Sequence, residues 1–321
     1  MDSRILFIHG LSPIHSGTGQ AVDVIDLPIA RERTTGWPYL PGSSIKGVLR
    51  DACRLAMLED LKGTDGQVQH SDEQSAEGVA KSSEEKLQLH GDYRLYKEAF
   101  GPEDKPEEHA GALAFGDARI LCMPVRSFAG TFAWTTCPMV LKRVQRDDMN
   151  AGLGEMPELT ETLSYEEGAV ARDSVVVHRG KVYLEDLDVS IKTGADAADL
   201  ADMLSAELFG ESDWQQAFRE RFVVVSDDLF SYLCETTTEI TARVRLRRDT
   251  KTVATGALWY EEALPTESIL YSPLIANPRP PVTPVELFNF ISPKLDRPVQ
   301  IGGNASVGRG LATFRLRGER S

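Results

Sequence analysis

The sequence predicts a soluble α+β protein, and three observations carry that expectation. Strand-like and helix-like segments are interspersed along the whole chain. Hydrophobic residues make up 41% and charged residues 26%, the ordinary globular mixture. No apolar run approaches the roughly 18 residues that a membrane span needs. At 321 residues the chain holds about two average domains or one decorated domain. Met1-Asp2-Ser3-Arg4 runs straight into a strand-like segment with no apolar leader, which predicts a cytoplasmic protein.

Arg4 to Leu11 has the continuous apolar character of a buried strand. Ser12-Pro13, Gly17 and Gly19 open a loop that passes Asp23, Asp26 and Pro28 before reaching Leu40-Pro41-Gly42. That is more irregular backbone than a compact domain leaves without a use. Ser43 or Ser44 is expected to cap the next helix, where Ile45, Val48, Leu49, Ala52, Cys53, Ala56 and Met57 keep the spacing of one buried face. Lys46, Arg50 and Arg54 recur every four residues and form a single basic stripe. Such a stripe is either a solvated flank or, beside a helix N-terminus, an anion site.

Residues 63–90 are rich in Ser, Gly, Gln and acids, as a surface insertion is. Strand character returns over 112–123, and 127–136 is strand or loop with Phe128, Phe132 and Trp134. A hairpin is expected around Arg179-Gly180, then one acidic amphipathic helix over 197–220 and a strand from Phe222 to Ser226. The clearest alternation sets Ile240, Ala242, Val244 and Leu246 against Arg243, Arg245 and Arg247. It predicts a hairpin arm returning over 252–260 through Arg248-Asp249-Thr250-Lys251. At its base, Trp259, Tyr260, Glu261 and Glu262 are expected to be hairpin packing with solvated acids. The turn from Gly302 to Gly310, before the strand Leu311 to Leu316, matches neither the P-loop nor the dinucleotide fingerprint. It is a phosphate cradle or simply a tight hairpin.

A net charge of −14 would by itself argue against a polyanionic partner, but the charge is segregated. Residues 59–110 and 154–228 hold the acidic excess, while 29–54, 241–251 and 297–320 are basic and could form one face. Cys53, Cys122, Cys137 and Cys234 lie far apart without a C-x-x-C pair and are expected to be buried thiols. The histidines lack metalloenzyme spacing, which argues against a high-affinity transition-metal site.

The segments LSPIHSGTG, AVDVIDLPIARERTTGWPYLPGSSIKGVLRDACR, RVRLRRDTKTVATGALWYEEALPTESILYS and IGGNASVGRGL, in this order, resemble the RAMP superfamily of CRISPR proteins. More narrowly they are similar to the repeated backbone subunit of type III-B (Cmr) effector complexes. The resemblance implies a ferredoxin-like (RRM-like) palm from residues 1–58, 111–145 and 297–321. It also implies acidic insertions or a lid at 59–110 and 150–228, and a projecting thumb hairpin at 239–272. The implied partners are guide RNA, target RNA, other copies of the chain in a helical filament and other Cmr subunits, with no membrane. Pairing to the guide would read sequence while protein reads backbone and shape.

Matched by motif, the resemblance assigns catalysis to Asp26 and His15, and RNA binding to Ser43, Ser44, Lys46 and Arg50. Further RNA contacts are expected from Arg243, Arg245, Arg247, Gly303 and Arg309. A loop carboxylate can activate a 2′-oxygen or a water directly, or through a hydrated divalent ion, Mg or Mn, held at Asp26. Asp23 competes with Asp26 for that role. Two other functions stay open: a passive guide-binding backbone without catalysis, and a monomeric guide-processing endoribonuclease.

Overall fold

The computed structural model describes residues 2–17, 25–68, 87–102, 109–154, 156–247, 249–250 and 253–317. Its first strand, β1 (Asp2–Gly10), carries Ile5, Leu6, Phe7 and Ile8, which bury completely because both faces of the strand are covered. β1 pairs antiparallel with β13 (Ile269–Ala276) on one side and β15 (Leu311–Leu316) on the other. β13 in turn pairs antiparallel with β4 (Ala118–Arg126). The order β15-β1-β13-β4 is thus antiparallel throughout. Two-residue β2 (Tyr39–Leu40), three-residue β3 (Leu113–Phe115) and two-residue β14 (Val299–Gln300) add to β4, β13 and β15 respectively.

β4 belongs to two halves of one sheet. Its first residues pair with β13, and Met123 to Arg126 pair with β5 (Phe132–Thr136). From β5 the sheet continues through β10 (Phe222–Val225), β6 (Glu167–Val170), β9 (Leu187–Thr193), β8 (Lys181–Leu184) and β7 (Val177–His178). The β5–β10 and β6–β9 pairs are parallel. The sheet is therefore mixed, and the fold is α+β as expected. The ribbon of β11 (Glu239–Leu246) and β12 (Val253–Ala263) forms a separate two-stranded sheet.

α1 (Gly42–Val68) buries Ile45, Leu49, Cys53 and Met57 on one face, in the expected register. Its N-terminus is not satisfied by Ser43 or Ser44: the Gly42 N–H donates to Asp117 Oδ1 at 2.8 Å. Asp117 is free to do so because the expected strand over 112–123 breaks between β3 and β4. α1 also runs six residues into the segment expected to be an insertion, 63–90, since extending a formed helix needs no new nucleus. Residues 69–86 of that segment lie outside the described residues.

The remaining helices are α2 (Tyr93–Phe100), α3 (Pro138–Ala151), α4 (Ala195–Leu208), α5 (Ser212–Arg221), α6 (Asp227–Thr236) and α7 (Pro284–Ile291). The single helix expected over 197–220 is two, α4 and α5. Between them Phe209 turns into the core against Trp134 and Phe218, and a continuous helix could not place it there. The β7–β8 hairpin has its turn at Arg179-Gly180, with φ of 53° and 77°, the left-handed pair that a tight hairpin demands. All four cysteines are free and buried, and burial pushes the Cys53 thiol up to about 12. Among the described residues no helix is long and apolar enough to cross a membrane.

Candidate active site

One edge of β12 pairs with β11, setting Thr241 opposite Glu261 and Arg243 opposite Trp259. The other edge receives two loops. Ile14 exchanges backbone hydrogen bonds with Leu264, both at 2.9 Å, and Leu27 bonds the Tyr260 carbonyl at 3.1 Å and the Glu262 N–H at 3.0 Å. Both residues assigned to catalysis hang from this edge. Asp26 Oδ2 accepts the Tyr260 N–H at 2.8 Å, and His15 Nδ1 lies 2.6 Å from the Glu262 carbonyl. Their anchors are two residues apart, about 6.7 Å along a strand.

These bonds set what each side chain can do. Asp26 is exposed, and its Oδ1 has no partner among the described residues. A carbonyl only accepts, so His15 Nδ1 carries a proton, and in the neutral ring the lone pair sits on Nε2. His15 is buried and closely wrapped. A Cβ at Gly17 would lie 2.8 Å from its Nε2, and one at Gly302, where φ is +80°, would clash with its carbonyl oxygen. The Gly303 N–H donates to that carbonyl at 2.8 Å. The glycine-rich turn closes on the His15 segment, and the Gly303 amide is engaged there.

Glu261 and Glu262 are not solvated, contrary to expectation. Adjacent residues on a strand point to opposite faces, and each of these carboxylates meets its own set of donors. Glu262 accepts from Arg31 Nη2 at 2.6 Å, Thr238 Oγ1 at 2.9 Å and the Ile29 N–H at 3.0 Å. Glu261 accepts from Trp259 Nε1 at 2.9 Å, Arg243 Nε at 3.1 Å and Asn304 Nδ2 at 3.0 Å. Burial alone would raise the Glu261 carboxyl, but the Trp259 and Arg243 hydrogen bonds and the charges of Arg243 and Arg309 hold it below the ordinary glutamate range. Arg309 is itself buried and donates from Nη2 to Thr241 Oγ1 at 2.9 Å. The two acids thereby staple both loops, the hairpin and the glycine turn together. Composition did not reveal this, because Arg31 and Glu262 are 231 positions apart.

The expected RNA-binding residues fall into distinct groups. Arg243 is paired with Glu261 at the hairpin root, whereas Arg245 and Arg247 are exposed and have no partner among the described residues. The ladder shifts between Val244, opposite Leu258, and Leu246, opposite Val253, so strict alternation ends there. On α1, Ser43 is exposed and Ser44 half-buried. Arg50 Nη2 donates to the Gly101 carbonyl at 2.9 Å, and Arg54 pairs with Asp51. Among the described residues Lys46 is the member of the stripe not engaged in this way; burial and then the Arg50 charge lower its ammonium from the ordinary lysine value. Asp23 lies outside the described residues. Among the described residues no three His, Cys, Asp or Glu side chains come together.

The RAMP superfamily model matches residues 7–313. The Cmr endoribonuclease Cmr4 of Pyrococcus furiosus is 35% identical over 325 residues, spanning 99% of this chain and 96% of that protein. The crystal structure of oligomeric Cmr4 from Pyrococcus furiosus has a TM-score of 0.70 at 26% identity, covering 99% and 98% of the two chains. A type III-B Cmr-beta structure in the apo state has a TM-score of 0.71 at 19% identity over 99% and 98%, a likeness of fold.

Proposed function

From the premise that this chain belongs to the RAMP superfamily, we propose that it is the repeated backbone subunit of a type III-B RNA-guided complex. It binds guide RNA and cuts the paired target RNA at regular intervals. The relative that matches along nearly the full length bears the name of an endoribonuclease, and a solved relative is described as oligomeric. The order β15-β1-β13-β4, with α1 and α7 as crossovers, supports reading this half as a ferredoxin-like palm. We read β11–β12 as the thumb, and the acidic stretches 59–110 and 150–228 as insertions or lid.

The observation that carries the reading is the exposed Asp26 carboxylate, fixed by Tyr260 at the root of the hairpin, its second oxygen without a partner among the described residues. Asp26 Oδ1 takes the proton of the attacking 2′-hydroxyl, the 2′-oxygen bonds to phosphorus, and the bond to the 5′-oxygen breaks. His15, held in one tautomer by Glu262, has Nε2 as its second proton-exchanging atom and, once protonated, supplies the proton that the departing 5′-oxygen needs. Sequence is read by guide pairing, so the protein needs backbone contacts from Lys46, Arg245 and Arg247 and no base code.

The purified chain, assembled on guide RNA and given an end-labelled complementary target, should yield a ladder of products at constant spacing. Intact target, or a ladder independent of pairing, would overturn the reading.

A further inference from the structure

The loop between β4 and β5 has a backbone that few sequences adopt. Gly130 and Thr131 both lie in the left-handed region, with φ of 70° and 77°. Glycine takes that region freely, but a β-branched threonine is strained there, and such strain persists only where surrounding contacts hold it. Three hydrogen bonds do so. The Ser127 N–H donates to the Thr131 carbonyl at 3.0 Å, Arg221 Nε to the Gly130 carbonyl at 3.0 Å, and the Phe128 N–H to the Tyr183 carbonyl on β8 at 3.1 Å. The side chain fixed in this way is turned to solvent: Phe128 is 75% exposed, the highest value of any large apolar side chain among the described residues.

Phe128 has aromatic neighbours. His178 and Lys181 stand opposite each other across the β7–β8 hairpin, and Tyr183, two residues on, shares their side, while Val182 and Leu184 on the other side are buried. The Phe128 ring lies 5.5 Å from His178 and 6.0 Å from Tyr183 between centroids, at interplanar angles of 64° and 69°. The rings meet edge to face, a contact that steadies Phe128 without stacking a second ring on it. Cations are near in sequence and sheet, but their charge is balanced. Arg126 pairs with Glu185 at 2.9 Å and Lys181 with Asp188 at 3.2 Å, Asp186 adds a third acid, and Arg179 at the hairpin tip has no partner among the described residues. The rings, not a net field, are therefore the recognition element.

We infer that Phe128, backed by His178 and Tyr183, is a stacking platform for one unpaired base of RNA. The inference rests on the proposed function and adds a base contact to its backbone contacts. A base offers a flat π face whatever its identity, so a rigid exposed ring binds it without a sequence code. A protein partner would need a wide apolar face, and the side chains sharing this one, His178, Lys181, Tyr183 and Asp188, all carry polar groups.

The test compares the full chain with Phe128→Ala, Phe128→Leu, Phe128→Trp and Lys46→Gln. Affinity for a labelled single-stranded RNA of mixed sequence is followed against salt. One lost base stack should weaken binding about 5- to 150-fold in Phe128→Ala. Phe128→Leu, which keeps apolar bulk but has no ring, should be similarly weak, and Phe128→Trp should bind at least as tightly as wild type. Because no counterion is released at a ring, all three should keep the wild-type log–log slope, whereas Lys46→Gln flattens it. Wild-type affinity in Phe128→Ala, with Lys46→Gln still weakened, would overturn the inference and leave the proposed function standing. Wild-type affinity in Phe128→Leu alone would make the contact apolar and overturn stacking, and a flattened slope in Phe128→Ala would trace the loss to a displaced cation and overturn it too. Sedimentation without RNA is run on the same variants. Weaker self-association in Phe128→Ala would make the surface a contact between copies and overturn the RNA assignment. If the wild-type chain binds no RNA, the inference and the proposed function both fall.

Discussion

The Asp26 carboxylate takes the Tyr260 N–H at 2.8 Å while the neighbouring Leu27 N–H bonds the Tyr260 carbonyl at 3.1 Å. The loop acid and the root of the hairpin are thus one hydrogen-bonded unit. Any contact that shifts β12 shifts the carboxylate with it, so on the proposed function placement of the hairpin on RNA also places Asp26.

Asp26→Asn should abolish most target cutting while sparing assembly and guide binding. The asparagine carbonyl still accepts the Tyr260 N–H, so the loop stays in place, but the group no longer takes a proton. Loss of a general base costs about 10²- to 10⁴-fold in rate. Single-turnover cutting measured beside guide affinity separates the two effects, and cutting at the wild-type rate would remove Asp26 from the chemistry.

Glu262→Ala should destabilise the fold, because it leaves Arg31 Nη2, the Thr238 hydroxyl and the Ile29 N–H without this acceptor. Removing one partner of a fully buried pair costs about 3–5 kcal/mol. The Arg31 side chain is 24% exposed, so water recovers part of that and about 1–3 kcal/mol is expected. Denaturant unfolding gives the value, and a midpoint unchanged from wild type would show the staple to be dispensable. His15 bonds the backbone carbonyl of the same residue, so cutting should fall in the folded fraction as well.

What the sequence made legible and what it hid follow one physical division. β1, the buried face of α1 and the β11–β12 arm were readable because their signals are local, a spacing of two or of 3.6 along one segment. Asp26 and His15 were singled out by motif order, and the structure brings both to the β12 edge. The Asp117 cap on α1, the Phe209 corner and the buried state of Glu261, Glu262 and Arg309 were hidden. Each depends on a partner tens to hundreds of positions away, and a charged residue beside a turn looks solvated until that partner is in place. The basic stripe shows the reverse case: its period was right, yet Arg50 and Arg54 have protein partners.

Lys46→Gln alone should therefore carry most of the stripe's effect on RNA. Its affinity should fall similarly for every RNA sequence, with the log–log salt slope shallower by roughly 0.7–0.9 for one phosphate left without its cation. Arg50→Gln, which also frees the Gly101 carbonyl, should show a loss of thermal stability that Lys46→Gln lacks. A salt slope identical to wild type in Lys46→Gln would make Lys46 a solvated flank.

Acid should loosen the hairpin root through Glu261. Its folded value is depressed, so its contribution to stability is complete above the ordinary glutamate value of 4.5 and is lost as pH falls through the lower folded value. Trp259 Nε1 donates to this carboxylate, so tryptophan emission should stay flat down to about 4.5 and change below it. In Glu261→Gln that acid step should be missing from the difference between the two titrations. An identical acid limb in both proteins would place the transition elsewhere.

The hairpin itself offers the sharpest test of assembly. Residues directly opposite across the ladder share a face, so Ile240, Ala242, Val244, Leu258 and Tyr260 lie together. Ile240, Val244, Leu258 and Tyr260 are between 39% and 57% exposed, an apolar strip that a two-stranded ribbon cannot cover by itself. The opposite face has Arg243, Trp259 and Glu261 locked to one another near the root, while Arg245 and Arg247 lie exposed further out. A ribbon built this way is positioned from its root and completed by what it meets. On the proposed function it crosses the guide–target duplex and opens the backbone beside the Asp26 of an adjacent copy. Displacing a base costs a few kcal/mol, which backbone contacts from the distal arginines offset. Replacing 244–258 by a short Gly-Ser turn keeps Arg243 and Trp259 paired and Glu261 satisfied, so the sheet and the Asp26 loop should fold as before. Regularly spaced cutting should disappear from this variant while Lys46-dependent RNA binding persists. If it still cuts at the wild-type positions and rates, the scissile phosphate is placed without the hairpin, and the exposed strip serves contacts between copies alone.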